Sequence, residues 1–183
     1  MHTSMEDRGF TKYLTSIEIE VAIQNLAKKI NADYRGKKIV LICVLKGAYV
    51  FCADLVRALD HTELQAEVEF VRLSSYGKAK ESSGTVTIVK DISIDLTDRH
   101  VLIVEEIIDS GRTLRFLYDR LQSSRPASVE IVTLLDKKSK RVVDVPVKYV
   151  GREIDDQFLV GYGLDLEEKE RNLSDVYYLK YPN

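Results

Sequence analysis

"VLIVEEIIDSGRTL", Val101 to Leu114, decides the architecture of this chain. Val101 to Val104 form a short apolar run, and two adjacent carboxylates, Glu105 and Glu106, follow it. Ile107 and Ile108 come next, then the small, hydroxyl-bearing Asp109-Ser110-Gly111-Arg112-Thr113. A short continuous apolar run bounded by turn residues is the pattern of a strand buried on both faces. Glu105 and Glu106 are then expected at the strand's mouth, with Asp109 to Thr113 turning into a helix that begins near Leu114.

The same pattern repeats outward from this segment. "TLRFLYDRLQSSRP" reads as the helix after the turn, stopped near Pro126. Upstream, "KKIVLICVLKG" is another buried strand, ending at Lys46-Gly47, and "AYVFCADLVRALD" is the helix behind it. "TSIEIEVAIQNLAKKINADY" carries Thr15 three residues before Glu18, a capping box, with Ile19, Ile23, Leu26 and Ile30 at helical spacing. "EVEFVRLSSY" alternates as a strand, and "TVTIVKD" resumes as one after the polar "GKAKESSG". "SVEIVTLLDKKSKR", "VKYVGREI" and "FLVGYGLD" add three more strand-like segments. Helices alternating with apolar strands indicate an α/β fold around a mostly parallel sheet.

The totals exclude several functions. A chain of 183 residues, 45% hydrophobic and 31% charged, is long enough for one domain with a sizeable core. A net charge of -2 gives no basic field for nucleic acid or an anionic membrane. No apolar run approaches the roughly 20 residues of a spanning helix. The opening "MHTSMEDRGF" lacks the apolar core of a signal peptide, so the cytoplasm is the expected compartment. Cys43 and Cys52 are expected as small core residues, since free cysteine is among the most buried types.

Ligands of parallel α/β sheets bind beyond the carboxyl ends of the strands. There, the Asp109 to Thr113 turn offers unpaired backbone N–H groups, a helix dipole and the hydroxyls of Ser110 and Thr113, while Gly111 lets the backbone approach closely. Together these suit a phosphate monoester. Glu105 and Glu106 can accept hydrogen bonds from sugar hydroxyls or hold Mg²⁺. A phosphate cradle beside a diol-and-metal site describes a ribose 5-phosphate pocket. The plainer alternative is a capped helix with solvated glutamates. A Walker-type loop is excluded, because no Gly-x4-Gly-Lys pattern occurs.

The stretch resembles the phosphoribosyl-pyrophosphate signature of type I phosphoribosyltransferases. From about Ile17 to Leu179 the chain resembles the hypoxanthine-guanine members of that family. "VLKGAY" at Val44 to Tyr49, "RLSSY" at Arg72 to Tyr76, "LLDKKS" at Leu134 to Ser139 and "DQFLVGYGLDLEEKERNL" at Asp156 to Leu173 carry the match in the family's order and spacing. One departure is Glu105-Glu106, where the family usually has Glu-Asp.

The resemblance implies one type I phosphoribosyltransferase domain over residues 1–183, with helices on the sheet, a small hood and a mobile lid at about residues 75–90. It implies purine salvage: transfer of the phosphoribosyl group of 5-phosphoribosyl 1-pyrophosphate to N9 of hypoxanthine or guanine, giving IMP or GMP and pyrophosphate. Asp109 matches the proposed general base near N7, and Lys137 the donor to O6. Phe158 matches the aromatic that stacks on the purine, and Leu159 the carbonyl that accepts from the 2-amino group. Ser110, Gly111, Arg112 and Thr113 match the phosphate turn. Glu105 and Glu106 match the contacts to ribose hydroxyls and to metal-bound water. Lys46-Gly47 matches a pyrophosphate-binding loop whose peptide is often cis. Asp165 matches a Mg²⁺ ligand and Arg171 a pyrophosphate contact, while Ser75 and Tyr76 open the lid. A homodimer or homotetramer is implied, with no nucleic-acid or membrane partner. Read without the resemblance, "DKKSKR" is a solvated loop and "DLEEKER" a charged helical face. The rivals are a nucleotide-binding regulatory protein on the same fold, and an enzyme for another base such as adenine or uracil.

Overall fold

The computed structural model describes residues 5–75 and 86–179. Its main sheet has six strands: β2 (Lys38–Leu45), β3 (Gln65–Ser75), β4 (Val86–Lys90), β5 (His100–Ile108), β6 (Ser128–Asp136) and β7 (Tyr149–Glu153). They lie in the order β4-β3-β2-β5-β6-β7. All neighbours are parallel except β3 and β4, which are antiparallel. The chain runs outward from β2 through β3, then restarts on the other side at β5. The order therefore reverses between β2 and β5, and a crevice opens at their carboxyl ends.

Strand alternation divides the core. Leu102 and Val104 of β5 join Ile39, Leu41 and Cys43 of β2 under two helices, α1 (Ser16–Asp33) and α2 (Tyr49–Ala58). Val101 and Ile103 face the other way, with Val40 and Ile42, toward Leu114, Leu117 and Leu121 of α3 (Arg112–Gln122). Cys43 and Cys52 are buried and unbridged, as expected. No helix among the described residues is long and apolar enough to cross a membrane.

Three differences from the sequence reading bear on the site. First, β5 runs on to Ile108, so Glu105 and Glu106 lie inside the strand rather than beyond it. Pairing with β2 ends at Val104, while pairing with β6 continues as far as Ile108. Second, α3 begins at Arg112, two residues before the expected Leu114, because Gly111 at φ 80 turns the chain into the helix. Third, β1 (Phe10–Leu14), β8 (Leu159–Val160) and β9 (Val176–Leu179) form a separate antiparallel sheet in the order β1-β9-β8. This fits the expected hood. β1 and β9 were not legible as strands, since their pairing joins opposite ends of the chain. Of the expected lid, Tyr76 to Thr85 lie outside the described residues, while Val86–Lys90 is strand β4.

The capping box on α1 is present: Thr15 Oγ1 accepts from Glu18 N at 3.2 Å, and Glu18 Oε2 accepts from Thr15 N at 2.9 Å. Loss of such a cap costs about 1 kcal/mol. Thr15→Ala is expected to lower the melting midpoint by about 2–4 °C, and Thr15→Ser to restore most of it; calorimetry of both variants checks this.

Candidate active site

The site begins with two carboxylates that the sheet holds away from water. Glu105 faces Thr133 across the β5–β6 ladder. Glu105 and Glu106 keep some side-chain surface, yet the Oε2 atom of each is buried with no hydrogen-bond partner among the described residues. Burial, then the charge of Glu106, pushes the Glu105 carboxyl well above the ordinary range. Burial pushes Glu106 up to about 7; Asp165 and Asp109 add to the rise and Arg171 opposes it. The alternative of solvated glutamates therefore fails. Alternation sends the two to different places. Glu105 lines a cleft of about 290 Å³ with Asp109, Ser110, Gly111 and Thr113. Glu106 lies against Gly47, where an added Cβ would overlap its Oε1.

The floor of the cleft is the turn into α3. No side chain caps this helix, so its first N–H groups remain available to an anion. Arg112 N approaches Ser110 Oγ only at 3.4 Å. The turn is clamped from behind: Val142 N and Val143 N donate to the Ser110 carbonyl at 3.0 and 3.1 Å. A Cβ at Gly111 would come within 2.7 Å of the Val143 carbonyl oxygen. Glycine is thus required both by the left-handed φ and by this contact.

Lys137 follows β6 and is only 6% exposed, so it departs from the solvated loop read for "DKKSKR", whose Lys138, Ser139 and Lys140 are exposed. Its N–H donates to the Ile108 carbonyl at 3.0 Å, which locks it beside the end of β5. Its Nζ lies 3.0 Å from Asp109 Oδ1 and 3.8 Å from Asp156 Oδ1. Asp156, which the sequence reading passed over, also pairs with Lys140 at 2.9 Å. Two residues beyond Asp156, Phe158 presents an exposed ring at the entry to β8, and Leu159 behind it is buried.

A second group of charges surrounds the end of β2. Lys46 Nζ pairs with Glu168 Oε2 at 2.8 Å. Arg171 donates to the Gly163 carbonyl at 2.8 Å and pairs with Asp165 Oδ1 at 2.9 Å. Gly163, at φ +94, packs so closely that a Cβ would overlap the carbonyl oxygen of Gly47. The cis peptide expected at Lys46-Gly47 lies one residue earlier, at Leu45-Lys46. The expected place came from the resemblance; Gly47 itself answers a different need, the room taken by Glu106. "DLEEKER" is no helix either: Glu167, Glu168 and Glu170 have φ of 51, 67 and 68, and Leu166 bridges Lys169. Nothing local in that acidic run announces left-handed backbone. Ser75 ends β3, and Tyr76 is outside the described residues.

A family model of the phosphoribosyl transferase domain matches residues 10–167. The chain belongs to the phosphoribosyltransferase family. The hypoxanthine-guanine phosphoribosyltransferase of Aquifex aeolicus is 45% identical over 161 residues, 87% of this chain and 89% of its own. That of Streptococcus thermophilus is 42% identical over 177 residues, 96% and 97% of the two chains. A crystal structure of a hypoxanthine phosphoribosyltransferase from Staphylococcus aureus matches with a TM-score of 0.91 at 38% identity, covering 100% of both chains. The mostly parallel sheet flanked by helices is that of these phosphoribosyltransferases.

Among the described residues, no group of three or more His, Cys, Asp or Glu could hold a metal ion. That does not exclude Mg²⁺, which takes oxygen donors and is commonly held by one or two carboxylates together with substrate phosphates. The unpartnered Oε2 atoms of Glu105 and Glu106 fit that donor set.

The raised Glu106 carboxyl contributes a loss of stability as pH rises. Between the ordinary 4.5 and about 7, the folded chain keeps a proton that the unfolded chain has lost. Stability is therefore lost as pH rises through that window. Glu106→Gln removes a penalty on the order of 1–3 kcal/mol. In EDTA the variant is expected to melt several degrees above wild type at pH 8 and level with it at pH 4.5, as read by scanning calorimetry.

Proposed function

We propose that the protein transfers the phosphoribosyl group of 5-phosphoribosyl 1-pyrophosphate to N9 of hypoxanthine or guanine, giving IMP or GMP and pyrophosphate. The observation that carries this reading is the buried Lys137 paired with Asp109 at the joint carboxyl ends of β5 and β6. A fixed cation there favours the O6 carbonyl of a 6-oxopurine and opposes the amino group of adenine. An ammonium has three donors, so Lys137 can hold O6 and Asp109 together. Asp109, more exposed than Lys137, is then near N7 and accepts a proton as N9 attacks C1′ and the bond to pyrophosphate breaks.

The other assignments follow the same geometry. Phe158 offers a ring for stacking and the Leu159 carbonyl an acceptor for the 2-amino group, which disfavours xanthine. The Ser110 to Thr113 turn binds the 5-phosphate, Glu105 the ribose hydroxyls, and Lys46, Gly47 and Arg171 the pyrophosphate. Glu105 and Glu106 would hold one Mg²⁺ through water and Asp165 a second, and the ions would neutralise charge building on the leaving group. Ser75 and Tyr76 open a lid that would exclude water from an oxocarbenium-like centre. A cytoplasmic homodimer or homotetramer belongs to the same reading.

Purified protein with phosphoribosyl pyrophosphate and Mg²⁺ is expected to form nucleotide with hypoxanthine and guanine, and far less with xanthine or adenine. Chromatography of the products decides it; no nucleotide from any base would favour a regulatory protein. Lys137→Met is expected to weaken base binding by about 1.5–3 kcal/mol, the size of a charge-assisted hydrogen bond. Phosphoribosyl-pyrophosphate binding should change much less, and separate titrations of the two ligands would show an equal loss if Lys137 sits elsewhere.

A further inference from the structure

We infer that Glu168 is a built-in counter-ion to the pyrophosphate-binding cations, competing with phosphate oxygens for Lys46 and Arg171 and so weakening the grip on pyrophosphate. The inference rests on the proposed reading of Lys46, Gly47 and Arg171 as the pyrophosphate subsite.

One carboxylate oxygen bridges both cations. Glu168 Oε2 is 2.8 Å from Lys46 Nζ and 3.1 Å from the Arg171 guanidinium. The two cations belong to different parts of the chain, Lys46 at the end of β2 and Arg171 beyond β8. Glu168 is solvent-exposed, and an exposed glutamate is ionised at neutral pH.

The three partners differ in freedom. The Arg171 side chain is 18% exposed and pinned by the Gly163 carbonyl and Asp165. Its Nε is buried without a hydrogen-bond partner among the described residues. Glu168 is 62% exposed and, among the described residues, tied through its side chain only to the two cations. It is therefore the member that can swing into solvent when a more highly charged anion arrives.

The backbone supports a dedicated placement. Glu167, Glu168 and Glu170 all take the left-handed region, with φ of 51, 67 and 68. Long L side chains adopt it only at a cost, and the surrounding structure must hold them there. The hold is visible: Glu168 N donates to Asp165 Oδ2 at 2.9 Å, and Gly163 N donates to the Arg171 carbonyl at 2.9 Å. Asp165 thus fixes both Glu168 and Arg171, and the segment presents its carboxylate to the cations. Each exposed pair is worth roughly 1.5- to 5-fold in an equilibrium. Pyrophosphate must break two of them and also meets the repulsion of a nearby anion.

The test is calorimetric titration of pyrophosphate with Mg²⁺ into wild type, Glu168→Gln, Lys46→Met and the double variant. Glu168→Gln keeps size and removes charge. It is expected to tighten pyrophosphate about 3- to 20-fold, with the affinity for IMP unchanged. The gain should shrink in the Lys46→Met background, because one of the two pairs is then absent. Lys46→Met alone should weaken pyrophosphate. If Lys46→Met weakens binding while Glu168→Gln leaves it unchanged or weaker, the counter-ion role is wrong and the subsite stands. If neither substitution moves pyrophosphate affinity, the subsite itself is misplaced. Equal tightening of pyrophosphate and IMP by Glu168→Gln would point to a general loosening of the site and also overturn the inference.

Discussion

Strand β5 is paired on both edges to the point where its side chains become acidic, and this governs the site. Parallel ladders to β2 and β6 place the strand in the middle of the sheet. A carboxylate carried there leaves water whether or not it finds a partner. Alternation then separates the neighbours, giving Glu105 to the cleft above α3 and Glu106 to the Gly47 loop. In the proposed reading, one strand end therefore addresses both halves of a phosphoribosyl pyrophosphate. The desolvation of these two acids opposes folding, and divalent cation or sugar hydroxyls would relieve it.

The site's cations follow a common pattern, each held by at least one carboxylate. Lys137 has Asp109 and Asp156; Arg171 has Asp165 and Glu168; Lys46 has Glu168. A buried ammonium such as Lys137 would be costly without such partners. Pairing fixes its position. In the proposed reaction, each substrate group then exchanges one acceptor for another instead of meeting a bare charge. Affinity is set by the difference between the two partners, which leaves room for products to depart.

Close backbone contacts hold the two groups of charges in register. Gly163 lies on the Gly47 carbonyl, and Gly111 lies on the Val143 carbonyl. The first contact ties the segment after β8 to the end of β2. The second ties the loop after Lys137 to the phosphate turn. A single methyl group at any of these glycines would push apart elements that supply different parts of the site.

The sequence by itself determined the alternation of strands and helices, the capping box at Thr15, the placement of a glycine turn after β5, and, through the motifs, the family. These rest on periodicity and on residues adjacent in the chain. Only the tertiary structure decided that Glu105 and Glu106 stay within the strand, that Lys137 is buried, and that "DLEEKER" folds back as left-handed turns. It alone joined β1 to β9 and Lys46 to Glu168, which are 122 residues apart. Burial and ion pairing depend on what arrives from distant segments, and no local pattern of residue types carries that information.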